Sequence, residues 1–258
     1  ALIGTPTFLN TIVRVAGEHQ LDSLRLVVTG AEKCTQRVYD RITAKCPELT
    51  LLEGYGITEC SPVVAVNPED APKRFSIGKI VPSLTHTVVD TERYAPVNTG
   101  EEGMLLVRGD SVFAGYYGDE GDGPFIDLGG YSWYSTGDIV AEDSEGYLFF
   151  KGRLKRFVKI GGEMISLVAI ESVLRPHFVE DEEDEPTFAV EASDPAETYP
   201  EIVLFTTIEA ERENVNRILQ QGNLSALHNI RRIVKVDEIP VLGTGKTDYK
   251  QLREQLRH

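Results

Sequence analysis

Cysteine is scarce: the 258 residues contain three, Cys34, Cys46 and Cys60, an odd number with no C-x-x-C spacing. That excludes a disulfide framework and suits reduced thiols, so a cytoplasmic location is expected. Long apolar runs are lacking too. No stretch approaches the roughly 20 residues that cross a bilayer, so this chain is expected to carry no transmembrane segment. Basic residues are the minority, 26 Lys and Arg against 41 Asp and Glu, for a net charge of −15. Such an excess argues against nucleic acid or an anionic membrane as the main partner. Part of it is one run, Glu180 to Glu185, which reads as a solvated loop. Internal repeats and other low-complexity segments are missing. The chain opens "ALIGTPTFLNTIVRVAG", with no Met and no charged lead, so no signal peptide is expected here and the stretch reads like the interior of a longer protein.

What is present is a globular composition, 41% apolar, enough for one large or two modest domains. "LRLVV" (24–28) reads as a buried strand, "TQRVYDRITAKCP" as a helix with Val38 and Ile42 on one stripe, and "LTLLEGYG" (49–56) as a second strand. Strand, helix, strand makes a βαβ unit of a parallel sheet, and ligands bind at the carboxyl ends of such strands. "TGAE" and "EGYGITE" both fall there. From about Thr85 the texture changes to short alternating strands, "THTVVD", "GMLLVRG" and "GYLFFKG", as in a small β-barrel or β-layer. After Gly152 a third region begins: "RFVKI" as a strand, "SLVAIESVL" as a helix, "TFAVEA" and "EIVLFTT" as strands, 209–221 as a helix and "IRRIVKVDEI" as a last strand. The change of texture near Arg153 to Lys155 marks a candidate hinge.

Four stretches carry chemistry. In "EGYGITE", glycines let backbone approach a ligand, Thr58 offers a hydroxyl and Glu59 a carboxylate able to hold Mg²⁺ beside a phosphate. Alone this is weak, because Gly-Tyr-Gly turns are common. In "WYSTGD" (133–138), Asp138 could accept a ribose diol or simply make an Asx turn. "KGRLKRFVKIGGEMIS" (151–166) has five cations and a Gly-Gly pair; an exposed basic strand explains it as well. "VLGTGKT" (241–247) ends like a P-loop, but the pattern needs glycine where Pro240 stands, and only eleven residues follow Thr247. Otherwise it is a glycine turn with Lys246 a solvated charge.

Their joint occurrence in this order is less ordinary. "YGITE", "WYSTGD", "GRLKRFVKIGGEMIS" with Ile170 and Glu171, and "GTGK" resemble the later core motifs of the adenylate-forming superfamily. That superfamily comprises acyl- and aryl-CoA synthetases, luciferases and peptide-synthetase adenylation domains. The resemblance runs from about Leu24 to the end. "GAEK", "LEGYGITECSPVV" and the "KRF-K-I-GEM-SL" pattern are closest to the acyl-[acyl carrier protein] synthetase subgroup, as in the synthetase half of bifunctional 2-acylglycerophosphoethanolamine acyltransferases. The superfamily more often has an acidic residue at Arg156 and a proline at Leu167.

The resemblance implies an α/β fold: residues 1–152 as the C-terminal part of a large adenylation domain, with a parallel-sheet layer to about 84 and a β-barrel-like part over 85–152, then an α+β lid over 153–258. It implies ATP and AMP as ligands with Mg²⁺, and an acceptor bearing phosphopantetheine. Gly30, Ala31 and Glu32, with Tyr55 and Gly56, would line the adenine pocket. Thr58 would bind the α-phosphate, Glu59 the magnesium, and Asp138 the ribose hydroxyls with help from Arg153. Lys155 would be the hinge, Gly162 would let the phosphopantetheine arm pass, and Lys246 would be the mobile catalytic lysine.

The superfamily's phosphate loop would precede Ala1, so the chain is expected to be the second half of an ATP-dependent fatty acyl ligase. Its partners would be a fatty acid and acyl carrier protein, steered by Arg153, Lys155, Arg156, Lys159, Arg231, Arg232 and Lys235. The parent could lie at the inner face of the cell membrane through a fused acyltransferase domain. A long-chain acyl-CoA synthetase is the alternative within enzymes. A non-catalytic AMP- or carrier-binding module is the alternative outside them.

Overall fold

The computed structural model describes residues 1–118, 123–179, 186–193, 200–243 and 246–256. The acidic run at 180–185 and the residues Thr244 and Gly245 lie outside the described residues. The chain divides into two compact units, Ala1–Lys151 and Gly152–His258.

The first unit opens with β1 (Leu2–Gly4), α1 (Pro6–Val15), β2 (Leu26–Thr29), α2 (Gln36–Lys45) and β3 (Thr50–Gly56). Strands β1, β2 and β3 pair in parallel, with Val27 and Val28 opposite Leu51 and Leu52. β1 and α1 were not foreseen, although the start of α1 has a readable signal. Thr5 caps it by accepting from the Phe8 amide at 3.2 Å, and Pro6 fills the first turn, where its missing N–H costs nothing. Both helices lay an apolar stripe on the sheet, burying Leu9 and Val13 from α1, Val38 and Ile42 from α2, and Val27 from β2 in one cluster. The sheet then turns antiparallel through β4 (Val63–Val66) and β5 (Lys79–Ile80).

A second sheet follows, from β6 (Leu84–Val89), β7 (Glu102–Gly109), β8 (Phe125–Leu128), β9 (Tyr131–Glu142) and β10 (Leu148–Arg153). Its order is β10-β9-β7-β6, with β8 on β9. It is an open half-barrel. Val64, Ala65, Leu84, Leu105, Val107, Tyr134, Val140 and Leu148 fill the space between it and β4.

The second unit has a hairpin of β11 (Phe157–Ile160) and β12 (Glu163–Ser166), then α3 (Leu167–Phe178). Next come β13 (Phe188–Ala192), β14 (Ile202–Thr206), α4 (Arg212–Gln221), β15 (Arg232–Lys235) and α5 (Tyr249–Gln255). β14 pairs antiparallel with β13 and in parallel with β15. α3 runs past the expected end at Leu174 and carries Pro176 inside its last turn. Packing explains the extension, since Phe178 is buried with its ring 5.2 Å from that of Phe188. Among the described residues no helix is long and apolar enough to cross a membrane.

One carboxylate ties the first sheet to its surroundings. Glu53, at the centre of β3, is buried. It accepts the Tyr39 hydroxyl of α2 at 2.5 Å and the Phe75 amide at 2.9 Å. Burial lifts its pKa above the ordinary 4.5, against these hydrogen bonds, which pull it down. A carboxyl whose folded pKa is raised holds its proton more tightly in the native state. Its stabilising effect is therefore full at low pH and lost as pH rises through the folded value. Measured against Glu53→Gln, the urea midpoint of the wild type should fall as pH rises above 4.5 and then level off. The slope should not exceed about 1.4 kcal/mol per pH unit. Fluorescence of Trp133, the single tryptophan, reports on this unit alone. A midpoint difference that does not change with pH would contradict the burial effect.

Candidate functional site

Two bulges aim side chains at one point. Against β4, β3 shifts register between Tyr55 and Gly56. Against β7, β9 shifts so that Met104 faces Ile139 while Leu106 faces Ser135, with Gly137 at φ 67° in between. Extra residues in one strand re-aim the neighbouring side chains. Here they set the Tyr55 hydroxyl to donate to Asp138 Oδ2. Asp138 is 1% exposed, and its amide donates to Thr136 Oγ1 at 3.1 Å. The Thr136 hydroxyl donates in turn to the Leu105 carbonyl at 2.8 Å. "WYSTGD" is thus the bulged middle of a long strand and not a free turn.

The backbone beside Tyr55 is crowded. A Cβ on Gly30 would stand 2.8 Å from the Gly54 carbonyl oxygen, and one on Gly56 would stand 2.5 Å from that of Pro62. Glycine at Gly30 lets the segment after β2 pack on the backbone of β3, and glycine at Gly56 lets the turn after β3 close on Pro62. Ala31 takes the left-handed conformation at φ 67°. The Glu32 carboxylate accepts the Thr7 hydroxyl of α1 at 2.7 Å, so its charge is turned toward that helix.

Thr58, Glu59 and Cys60 form a single 3-10 turn after β3. Thr58 is exposed and Glu59 half-buried. Sequence reading missed the partner of Glu59: the Tyr116 hydroxyl donates to Glu59 Oε1 at 2.6 Å, and the Phe113 amide donates to the Glu59 carbonyl at 2.8 Å. The aromatic run around Phe113 and Tyr116 was the available signal. The hydrogen bond to Glu59 raises the Tyr116 pKa, because ionising the phenol would set two negative charges together. Cys60 is buried in the core and its thiol is pushed up to about 11 by burial, which leaves it inert as a nucleophile.

The other expected site residues lie in the second unit, Arg153 at the end of β10. Arg153 and Lys155 are exposed, Lys155 in the 3-10 turn Leu154–Arg156. Gly162 is exposed in the turn between β11 and β12, with Gly161 and Gly162 at φ 60° and 89°, a geometry for which glycine is suited. Lys246 is exposed. Its carbonyl accepts the Leu242 amide at 2.7 Å, Val241 bridges Thr247, and the Asp248 amide donates to the Pro240 carbonyl at 2.7 Å. Residues 240–242 and 246–248 thus pair with each other just before α5, whose seven residues are not the long helix of a P-loop.

One expectation is corrected. Arg156 was placed among surface cations, but it is 8% exposed. Its guanidinium donates to Glu171 at 2.8 Å, to Glu191 at 3.2 Å and to the Val190 carbonyl at 2.9 Å. Glu171 sits on the same helical stripe as the buried Leu167, Ile170 and Leu174. A carboxylate on an apolar stripe requires a buried partner.

The chain as a whole is similar to known proteins. Residues 1–117 match the family model described as AMP-binding enzyme. The chain is 30% identical over 250 residues to 4-coumarate–CoA ligase 1 of Petroselinum crispum, covering 94% of this chain and 45% of the relative. It is 37% identical over 180 residues to a long-chain-fatty-acid–CoA ligase of Escherichia coli O157:H7, covering 69% of this chain and 31% of the relative. ATP-bound MatB from Rhodopseudomonas palustris shares the fold, with a TM-score of 0.79 at 24% identity over 99% of this chain and 50% of that one. The chain spans about half the length of the Petroselinum crispum ligase and of MatB. The fold class expected from sequence holds, an α/β layer with a half-barrel followed by an α+β region. Residues 1–117 thus carry an AMP-binding enzyme region, and the chain resembles acyl-CoA ligases over nearly its whole length.

Proposed function

We propose that this chain supplies the AMP site and the lid of an ATP-dependent fatty acyl ligase. The observation that carries the reading is the buried Asp138 carboxylate held by Tyr55 beside the Gly30–Gly54 and Gly56–Pro62 backbone contacts. A carboxylate fixed in this way accepts both hydroxyls of a ribose, and the close backbone packing at Gly30 and Gly56 fixes the segments that would flank the base. Thr58 donates to the α-phosphate. Glu59 suits Mg²⁺, which binds through one or two carboxylates plus substrate phosphates. A bound metal would neutralise charge on the phosphates, and Tyr116 holds the Glu59 carboxylate in place.

In the reaction, a fatty carboxylate oxygen bonds to the α-phosphorus of ATP and the bond to pyrophosphate breaks. Lys246 donates to the carboxylate and α-phosphate oxygens, where negative charge crowds in the transition state. The acceptor thiol then bonds to the acyl carbon, AMP leaves, and the thiol proton passes to solvent. Gly162 gives a phosphopantetheine arm a passage with no side chain. The lid turns about Lys155 between the two steps. We place the enzyme in the cytoplasm, at the inner membrane face if an acyltransferase domain is fused to it.

Lys246→Ala, in the protein that joins this chain to its phosphate loop, should slow acyl-adenylate formation on the order of 10²–10³-fold. It should spare thioester formation from supplied acyl-adenylate. Equal loss in both half-reactions by a folded variant, read from pyrophosphate release and thioester yield, would contradict the assignment.

For the acceptor we favour acyl carrier protein. Arg231 and Arg232 are exposed, the Arg212 guanidinium donates to the Arg231 carbonyl at 3.2 Å, and Arg232 is only loosely paired, 3.9 Å from Glu201. Lys235 adds little, since Glu209 pairs with it at 2.6 Å. An acidic carrier would be steered by such a patch despite the net charge of −15. The relatives named as CoA ligases favour free CoA as a second reading. Arg231→Glu with Arg232→Glu should weaken carrier-protein use in a salt-dependent way and leave CoA use unchanged. Equal or better wild-type turnover with CoA would favour the second reading.

A further inference from the structure

The second unit buries a four-charge cluster with no counterpart in the chemistry above. Arg156 stands at its centre. One nitrogen of its guanidinium, Nη2, donates to Glu171 Oε1 on α3 at 2.8 Å and to the Val190 carbonyl on β13 at 2.9 Å. The other, Nη1, donates to Glu191 Oε2 at 3.2 Å. Arg253 of α5 closes the other side of Glu191, 3.2 Å from both carboxylate oxygens. Backbone amides complete the set, Val190 to Glu171 and Ala192 to Glu191, each at 2.9 Å. Two arginines and two glutamates leave no net charge, and Glu191 is 1% exposed.

The cluster reaches Lys246 through Tyr249. The Arg156 guanidinium lies over the Tyr249 ring, 3.6 Å from its centroid, and the Tyr249 hydroxyl donates to Glu171 Oε2 at 3.0 Å. Tyr249 opens α5, whose cap Asp248 accepts from the Lys250 and Gln251 amides at 3.1 Å. Asp248 and Thr247 are also the residues that close the Lys246 hairpin onto Pro240 and Val241. The root of the hairpin is therefore fixed by backbone bonds, and Tyr249 fixes that root to Arg156. Arg156 in turn directly follows the hinge candidate Lys155.

We propose that Arg156 is a positioning residue for Lys246, its buried guanidinium holding the lysine hairpin and the hinge turn in one rigid body. A turn about Lys155 then carries Lys246 as a whole into and out of the site, without refolding of the hairpin root. The role in the reaction rests on the ligase reading; the anchoring itself does not. Only arginine serves, because lysine keeps the charge but cannot offer a planar fork to three oxygens while stacking on a ring.

The test uses Arg156→Lys and Tyr249→Phe. The second removes one hydrogen bond and no buried charge, so it folds even if the first does not. Amide hydrogen exchange across residues 246–252 of this chain is measured first. Both variants should exchange there at least about tenfold faster, since α5 and the hairpin root open together without their anchor. In the complete enzyme, kcat for acyl-adenylate formation should fall on the order of 10²-fold in Arg156→Lys, the effect of a misplaced group. The KM for ATP and thioester formation from supplied acyl-adenylate should stay at wild-type values. Unchanged exchange in both variants would overturn the anchoring. Faster exchange with unchanged adenylation, or equal loss in both half-reactions, would overturn the positioning role. A wild-type enzyme that makes no acyl-adenylate would overturn the ligase reading, with exchange alone then deciding the anchoring.

Discussion

The hydrogen bond from the Tyr55 hydroxyl to the buried Asp138 carboxylate is the contact on which the candidate site depends. It joins the carboxyl end of the parallel sheet to the half-barrel, across 83 residues of sequence. Each partner stands at a register shift, so both strands give up regular pairing to make it. Burying a carboxylate is costly unless it is hydrogen-bonded. Asp138 is bonded by a phenol that the proposed reading sets beside the nucleotide. The same contact therefore lowers the cost of burial and fixes the acceptor that a ribose would meet.

The second unit uses charge differently. Buried ion pairs seldom add net stability over apolar packing, but breaking one by removing a partner costs about 3–5 kcal/mol. The Arg156 cluster thus penalises any arrangement of α3, β13 and α5 other than the observed one. On the proposed reading, specificity of docking matters more here than stability, because a lysine that is to donate to a transition state must arrive in one place. The Tyr116–Glu59 bond has the same character on a smaller scale: an exposed phenol holds a half-buried carboxylate in one orientation.

Much of the fold was legible because apolar periodicity is a direct consequence of burial. The stripe of Val38 and Ile42 became α2, and the apolar run before Gly54 became β3 beside β2. The boundaries that failed did so where tertiary packing overruled local signals, as where burial of Phe178 carries α3 past Pro176. In the site, the order of motifs pointed to residues, whereas their partners came from distant segments. Nothing near Glu59 announces Tyr116, 57 residues away. Arg156 misled because four neighbouring cations suggested a solvated strand, while the residue that demands it, Glu171, is 15 positions on. Long-range pairs of this kind leave no periodic trace.

The central claim is that the Tyr55–Asp138 end of the first unit binds the AMP portion of the substrate. Titration calorimetry of AMP into this chain and into Asp138→Asn tests it most directly. Asparagine keeps the shape and can still accept from Tyr55, so the variant should fold while losing the charge that favours ribose hydroxyls. A hydrogen bond to a charged group is worth about 1.5–3 kcal/mol, so the affinity should fall on the order of 10–100-fold. Unchanged AMP affinity in Asp138→Asn, or no saturable AMP binding by the wild-type chain, would contradict the account.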